Sequence, residues 1–196
     1  YTWDCGSEDI IFCIHGLARH RQYYDPIAPE FNHQNVSVFA IDLRGHGRSD
    51  GKRGDIPHFG YHIKDVHRAV SEITKRFPHK KIHVLGESMG ATVAVLYAAA
   101  NKEKVRSLVL LSPVFRPILR HQWWQFFQFM FALLTMPFAR VITLSGREHL
   151  ATRDPEFFRI LREDSRYITH ASVRYMIALR YSMWRAFKSA VKIRIP

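Results

Sequence analysis

Gly86-Glu87-Ser88-Met89-Gly90 sets a hydroxyl between two glycines, where an apolar run (Lys81-Ile82-His83-Val84-Leu85) meets a small, apolar stretch from Met89 to Ala100. A serine hydroxyl is a weak nucleophile, and it attacks a carbonyl only when a tight turn projects it toward both a base and the substrate. Such a turn crowds the backbone, so Gly86 and Gly90 remove side chains that would clash. A helix starting at Met89 would aim its dipole and free N–H groups at developing negative charge. Glycine–serine patterns recur by chance; a strand before and a helix after single this one out as a nucleophile elbow with Ser88 as the attacking group.

Acyl transfer also needs two N–H donors on the oxyanion, one from a loop ahead of the nucleophile. His15-Gly16 directly follows the apolar run Asp9–Ile14, so Leu17 N–H is the expected loop donor and Met89 N–H the second. His15 itself is read as bonding within its loop rather than as a general base. A third polar segment, Asp42-Leu43-Arg44-Gly45-His46-Gly47-Arg48-Ser49, follows the run Val36–Ile41. Loops at strand carboxyl ends often border sites in open α/β sheets. Asp42 and Arg44 are nevertheless expected to bond to neighbouring loops rather than to substrate.

Holding these loops at one edge requires strands alternating with helices. Asp9–Ile14, Val36–Ile41, Lys81–Leu85 and Ser107–Leu111 are short, apolar runs of the kind buried on both faces of a parallel sheet. Ile63, Val66, Val70, Ile73 and Phe77 share one helix face, which Pro78 ends. Met89 to Ala100 is apolar nearly all round and must be buried. The character changes after Pro113. Trp123, Trp124, Phe126, Phe127, Phe129, Met130, Phe131, Leu133, Leu134, Met136 and Phe138 form an aromatic stretch shorter than the ~20 residues a membrane span needs. With Gln125, Gln128 and Pro137 in it, it reads as a lid or interfacial helix. Asp154-Pro155 marks a helix start, and Val173, Met176, Ile177, Met183, Trp184 and Phe187 give a looser helical stripe. The expected class is α/β, a mostly parallel sheet flanked by helices. Its core is expected over residues 1–113, a helical cap over 114–190, and the start of a further core strand at 191–196.

A chain of 196 residues suits one domain, and 47% apolar with 23% charged residues excludes intrinsic disorder. Cys5 and Cys13 make no disulfide framework, so a reducing, cytoplasmic setting is expected. From Tyr1 onward no charged n-region followed by an apolar h-region is visible, and the sequence does not open on Met. The formal net charge of +12 favours acidic partners. No basic stripe interleaved with aromatics stands out, so nucleic acid is not expected; a solvated basic face is the default, with peripheral contact with an anionic membrane the alternative.

The His-Gly loop, the segment Asp42 to Ser49 and the Ser88 pentapeptide, in this order and spacing, resemble the α/β-hydrolase superfamily, most of all its monoacylglycerol lipase and lysophospholipase group. Tyr23-Tyr24, Tyr61 with Asp65, Gly86 to Ala91 and Leu110 to Pro113 extend the resemblance from about Tyr1 to Pro113. It implies hydrolysis of single-chain lipid esters, monoacylglycerol or lysophospholipid, through an acyl-enzyme on Ser88. Leu17 and Met89 would supply the oxyanion N–H groups, and no metal or organic cofactor would be needed. It further implies that Trp123, Trp124, Phe127 and Phe131 belong to a lid over the acyl pocket, with His15 and Gly16 against the substrate. Triad order in this fold is Ser, then Asp or Glu, then His, and no matching acid or base segment precedes Pro196. Lys192–Pro196 resembles the entry to the acid-bearing strand, and Tyr1-Thr2-Trp3 the middle of an early strand. Asp154, Asp164, His121, His149 and His170 fall in the expected cap and are not expected to complete a triad. The piece is therefore expected to be inactive by itself. A non-catalytic or truncated module that binds lipid or a partner protein, and an esterase for other small substrates, stay open as alternatives. A sheet short of strands also predicts an uncovered edge and poor solubility.

Overall fold

The computed structural model describes residues 1–115, 130–144 and 153–195. Five strands form one sheet: β1 (Thr2–Trp3), β2 (Asp9–Ile14), β3 (Ser37–Ile41), β4 (Lys81–Glu87) and β5 (Ser107–Leu111), in the spatial order β1-β3-β2-β4-β5. β1 runs antiparallel to β3; all other pairings are parallel. The apolar runs pair as strands buried on both faces should.

α1 (Ala28–His33) follows a 3-10 turn, Arg21–Tyr24; α2 (Gly60–Arg76) and α3 (Met89–Ala100) are the crossovers on either side of β4. Ile10, Phe12, Ile14, Ile82 and Val84 pack with Val66 and Val70 of α2 and with Val93, Leu96 and Tyr97 of α3. The opposite sheet face is thinner: Ile11, Cys13, Val38, Ala40 and Leu85 meet Tyr24 and Ala28. α3 is buried from Met89 to Ala98, as a helix apolar all round must be.

Beyond β5, residues 130–135 are helical (α4), and Ile142–Thr143 (β6) pairs antiparallel with His170–Ala171 (β7). α5 (Pro155–Glu163) starts where the sequence marks it, with Asp154 Oδ1 accepting the Glu156 N–H at 3.0 Å. α6 (Val173–Ala190), grouped with the cap by sequence, lays Tyr175, Leu179, Met183 and Ala186 into the main core beside α3. Ser172 caps it, its Oγ accepting the Tyr175 N–H at 3.1 Å and donating to Asp55 Oδ1 at 2.5 Å. Arg174 completes that cluster with two further hydrogen bonds to Asp55. Where a strand entry is expected, residues 191 and 192 form a turn and 193–195 have no regular structure. Ile193 and Ile195 instead rest on the core. No described helix is long and apolar enough to cross a membrane.

Candidate active site

The chain leaves β2 to build β3 on one side, then crosses to build β4 on the other. In open α/β sheets the carboxyl ends at such a reversal frame the ligand crevice. Here Ile14 pairs with Gly86, so the loop after β2 and the turn after β4 emerge side by side. They carry Leu17 and Ser88.

Ser88 has φ 52° and ψ −110°, in the left-handed half of backbone space that non-glycine residues avoid. The surroundings enforce it. Ser88 N–H donates to Leu111 O at 2.9 Å, and Ala91 N–H donates to Ser88 O at 3.1 Å. A Cβ on Gly86 would lie 2.5 Å from Gly90 O, and one on Gly90 would lie 2.1 Å from Ile14 O. Both glycines are therefore required by backbone contact. Gly16 approaches from the β2 loop, where a Cβ would stand 3.4 Å from Ser88 Cβ and 3.4 Å from Glu87 O.

The candidate oxyanion amides are open. Met89 N–H heads α3 and has no intrahelical acceptor. Among the described residues neither it nor Leu17 N–H donates to a protein acceptor. The loop is held by a turn in which Arg19 N–H donates to Gly16 O at 3.3 Å, with Ala18 at φ 68°.

His15 was expected against the substrate, and its surroundings correct that. Its ring exposes 0% of its surface. Nδ1 donates to Gly16 O at 2.8 Å and Nε2 accepts the Leu43 N–H at 3.0 Å, which fixes the neutral tautomer. Burial pushes its pKa down to about 4. It shapes the loop that presents Leu17. Behind it lies a buried aromatic cluster: the His15 and His46 centroids are 5.1 Å apart, and His46 and His62 6.1 Å. His62 Nε2 donates to Tyr175 Oη at 3.1 Å, and Tyr175 Oη donates to Met89 Sδ at 3.1 Å. That relay backs the first residue of α3.

Asp42 and Arg44 bond to neighbouring segments, as expected. The Asp42 carboxylate accepts Arg21 N–H at 2.8 Å, Arg21 Nη1 at 2.7 Å and Arg48 N–H at 2.8 Å. Arg44 forms a fork on Asp65 with both distances 2.6 Å.

Sequence reasoning missed the contacts that tie the cap to this loop. His20 and Tyr23 both bond to Asp164, which also accepts Arg166 N–H at 2.9 Å. Burial alone would raise the Asp164 carboxyl, but the bonds from His20 and the Arg166 N–H hold it at about 2. Ile168 N–H donates to Ala18 O at 3.1 Å, one residue beyond Leu17. Arg19, in the same loop, pairs with Glu87 beside the nucleophile. Residues 68 and 144 positions apart leave no local signal of such pairing.

Of the triad candidates among the described residues, none is brought to Ser88. Asp154 caps α5, Asp164 is committed to His20, and His170 is exposed beside Thr169. His121, His149, Trp123, Trp124 and Phe127 lie outside the described residues. Phe131, expected over an acyl pocket, is 64% exposed. A polar cleft of about 430 Å³, lined by Arg53, Arg140 and the 165–170 segment, opens beside the cap and does not include Ser88. Among the described residues no cluster of three or more His, Cys, Asp or Glu could hold a metal ion.

With this geometry in hand, three comparisons bear on the chain. A family model described as serine aminopeptidase, S33, matches residues 7–196. Monoglyceride lipase of Mus musculus is 36% identical over 105 residues, covering 54% of this chain and 35% of its own length. A monoglyceride lipase homolog of monkeypox virus is 35% identical over 105 residues, covering 54% of this chain and 38% of its own. The aligned part thus spans little more than a third of these curated relatives. The crystal structure of Paleococcus ferrophilus monoacylglycerol lipase superposes with a TM-score of 0.84 at 22% identity, over 100% of this chain and 74% of that one. A soluble variant of Saccharomyces cerevisiae monoglyceride lipase gives 0.76 at 17%, over 93% and 61%. At such identities the superpositions establish a shared architecture, the α/β-hydrolase fold.

Proposed function

Because the chain belongs to the serine aminopeptidase S33 family and has the α/β-hydrolase fold, we propose that it carries the nucleophile half of an esterase for single-chain lipids, a monoacylglycerol or a lysophospholipid. Ser88 Oγ attacks the ester carbonyl carbon. Leu17 and Met89 N–H hold the oxyanion of the tetrahedral intermediate. Collapse expels the alcohol and leaves an acyl group on Ser88, which water then removes. The observation that carries this reading is the strained Ser88, held between two glycines that admit no Cβ and approached by Gly16. Strain of order 1–3 kcal/mol is retained where it positions a reacting group. Among the described residues no side chain accepts a hydrogen bond from Ser88 Oγ. The lipid class rests on the named relatives, monoglyceride lipases and a probable lysophospholipase L2 of Haemophilus influenzae.

The test, on the full-length protein, is labelling by a fluorophosphonate, followed by hydrolysis of p-nitrophenyl esters of increasing chain length. Labelling and turnover lost in Ser88→Ala, with rates rising toward long acyl chains, support the reading. Undiminished hydrolysis by a folded Ser88→Ala protein overturns it. A preference for acetate over long chains moves the substrate to other small esters.

A further inference from the structure

α6 buries one face in the core, and among the described residues none packs over the other. The exposed residues of its C-terminal half and the turn beyond are Arg180, Tyr181, Trp184, Arg185, Phe187, Lys188, Val191 and Lys192. Four are cations and three are aromatic. The large apolar members are far from buried: Tyr181 is 58% exposed, Trp184 50%, Phe187 56% and Val191 81%. Isolated exposed apolar residues need no explanation, but a contiguous band does. The aromatics are ordered among themselves: Tyr181 stacks on Trp184 with ring centroids 5.9 Å apart, and Lys188 Nζ stands 4.5 Å over the Trp184 ring.

Charge sets what can cover this band. From Val173 to Pro196 the sequence holds six Lys or Arg and no Asp or Glu, so no acid within the segment neutralises it. A second copy of the same face would bring like charges together. Where the sequence shows only scattered charge, the helix gathers Arg180, Tyr181, Trp184, Arg185, Phe187 and Lys188 on one exposed face, and an aromatic band interleaved with cations along an otherwise anchored helix has the composition of a surface that sits in the headgroup layer of an acidic bilayer. Its rings enter the acyl boundary and its cations meet lipid phosphates and carboxylates. Lys and Arg stems can lie along the rings while their heads stay in water.

We propose that the outer face of α6 is the docking surface of this protein on an anionic lipid bilayer. It turns a diffuse charge of +12 into a defined contact, and it stands independently of the chemistry assigned to Ser88.

Co-sedimentation with vesicles of phosphatidylcholine alone, and of phosphatidylcholine containing phosphatidylserine, tests it. Two variants separate the components: Trp184→Ser with Phe187→Ser, and Arg185→Glu with Lys188→Glu. All four side chains are exposed and the buried residues Leu179, Met183 and Ala186 stay in place, so unfolding temperatures should match the parent. The parent should bind the phosphatidylserine vesicles and release them as salt rises. The aromatic variant should lose about tenfold in partitioning and the charge variant about thirtyfold. Equal binding to neutral and acidic vesicles overturns the proposal, as does parent-like binding by either variant. Loss confined to single-stranded nucleic acid, with vesicle binding absent, also overturns it and reassigns the face. A Ser88→Ala protein serves as control: it should bind vesicles unchanged, so a failure of the esterase reading is seen separately.

Discussion

Ser88 stores strain that its neighbours impose, and two substitutions separate those roles. Ser88→Gly should unfold later than Ser88→Ala by about 1 kcal/mol in urea titrations, because glycine accepts φ 52° while alanine does not. Gly90→Ala should cost about 3 kcal/mol, since its methyl would meet backbone carbonyls of Ile14 and His15 that cannot swing aside. The buried histidines set an acid limit. Burial holds His15 at about 4 and His62 at about 3, below the ordinary 6.5, so the unfolded chain takes up protons first as pH falls. Their contribution is complete above pH 6.5 and declines toward those folded values, by roughly 1.4 kcal/mol per pH unit for each histidine. His62→Phe should flatten the acid side of a stability–pH curve by one proton. The roles of Gly86 and Gly90 were legible in sequence because a tight turn demands glycine at short, fixed offsets. The bonds of His20 to Asp164 and of Arg19 to Glu87 were not, since nothing local marks a partner 144 or 68 residues away.

At the level of elements, Asp55 joins the loop before α2 to the start of α6. Its side chain is 1% exposed and its charge is balanced by Arg174. Arg174→Ala should cost about 3 kcal/mol by stranding a buried carboxylate, and thermal unfolding would show it. Helix and strand identity was readable where periodicity is local: Asp9–Ile14 and Ser107–Leu111 appear with the ends expected, and Pro155 begins α5 behind Asp154. What each element packs against was less so. The stripe on α6 announces a buried face but not that α3 receives it, because one amphipathic face fits a cap or a core equally well.

For the chain as a whole, β5 is an edge strand among the described residues, and there Val109 is 39% and Leu111 42% exposed. An apolar edge invites pairing between copies. Light scattering should report masses above 23.0 kDa that rise with concentration, and Val109→Lys should return them toward that value. The mostly parallel sheet followed from alternation of runs and helices, whereas the spatial order of its strands depends on pairings that no local pattern encodes. Ile168 N–H is bonded to Ala18 O, and Asp164 to His20 and Tyr23. The 164–168 segment is thus tied to the loop that carries Leu17, so the two are not exchangeable one without the other. A graft of a foreign cap onto this core would have to carry its own 164–168 counterpart with matching residues at 18, 20 and 23, and lineages that trade caps should trade those positions together.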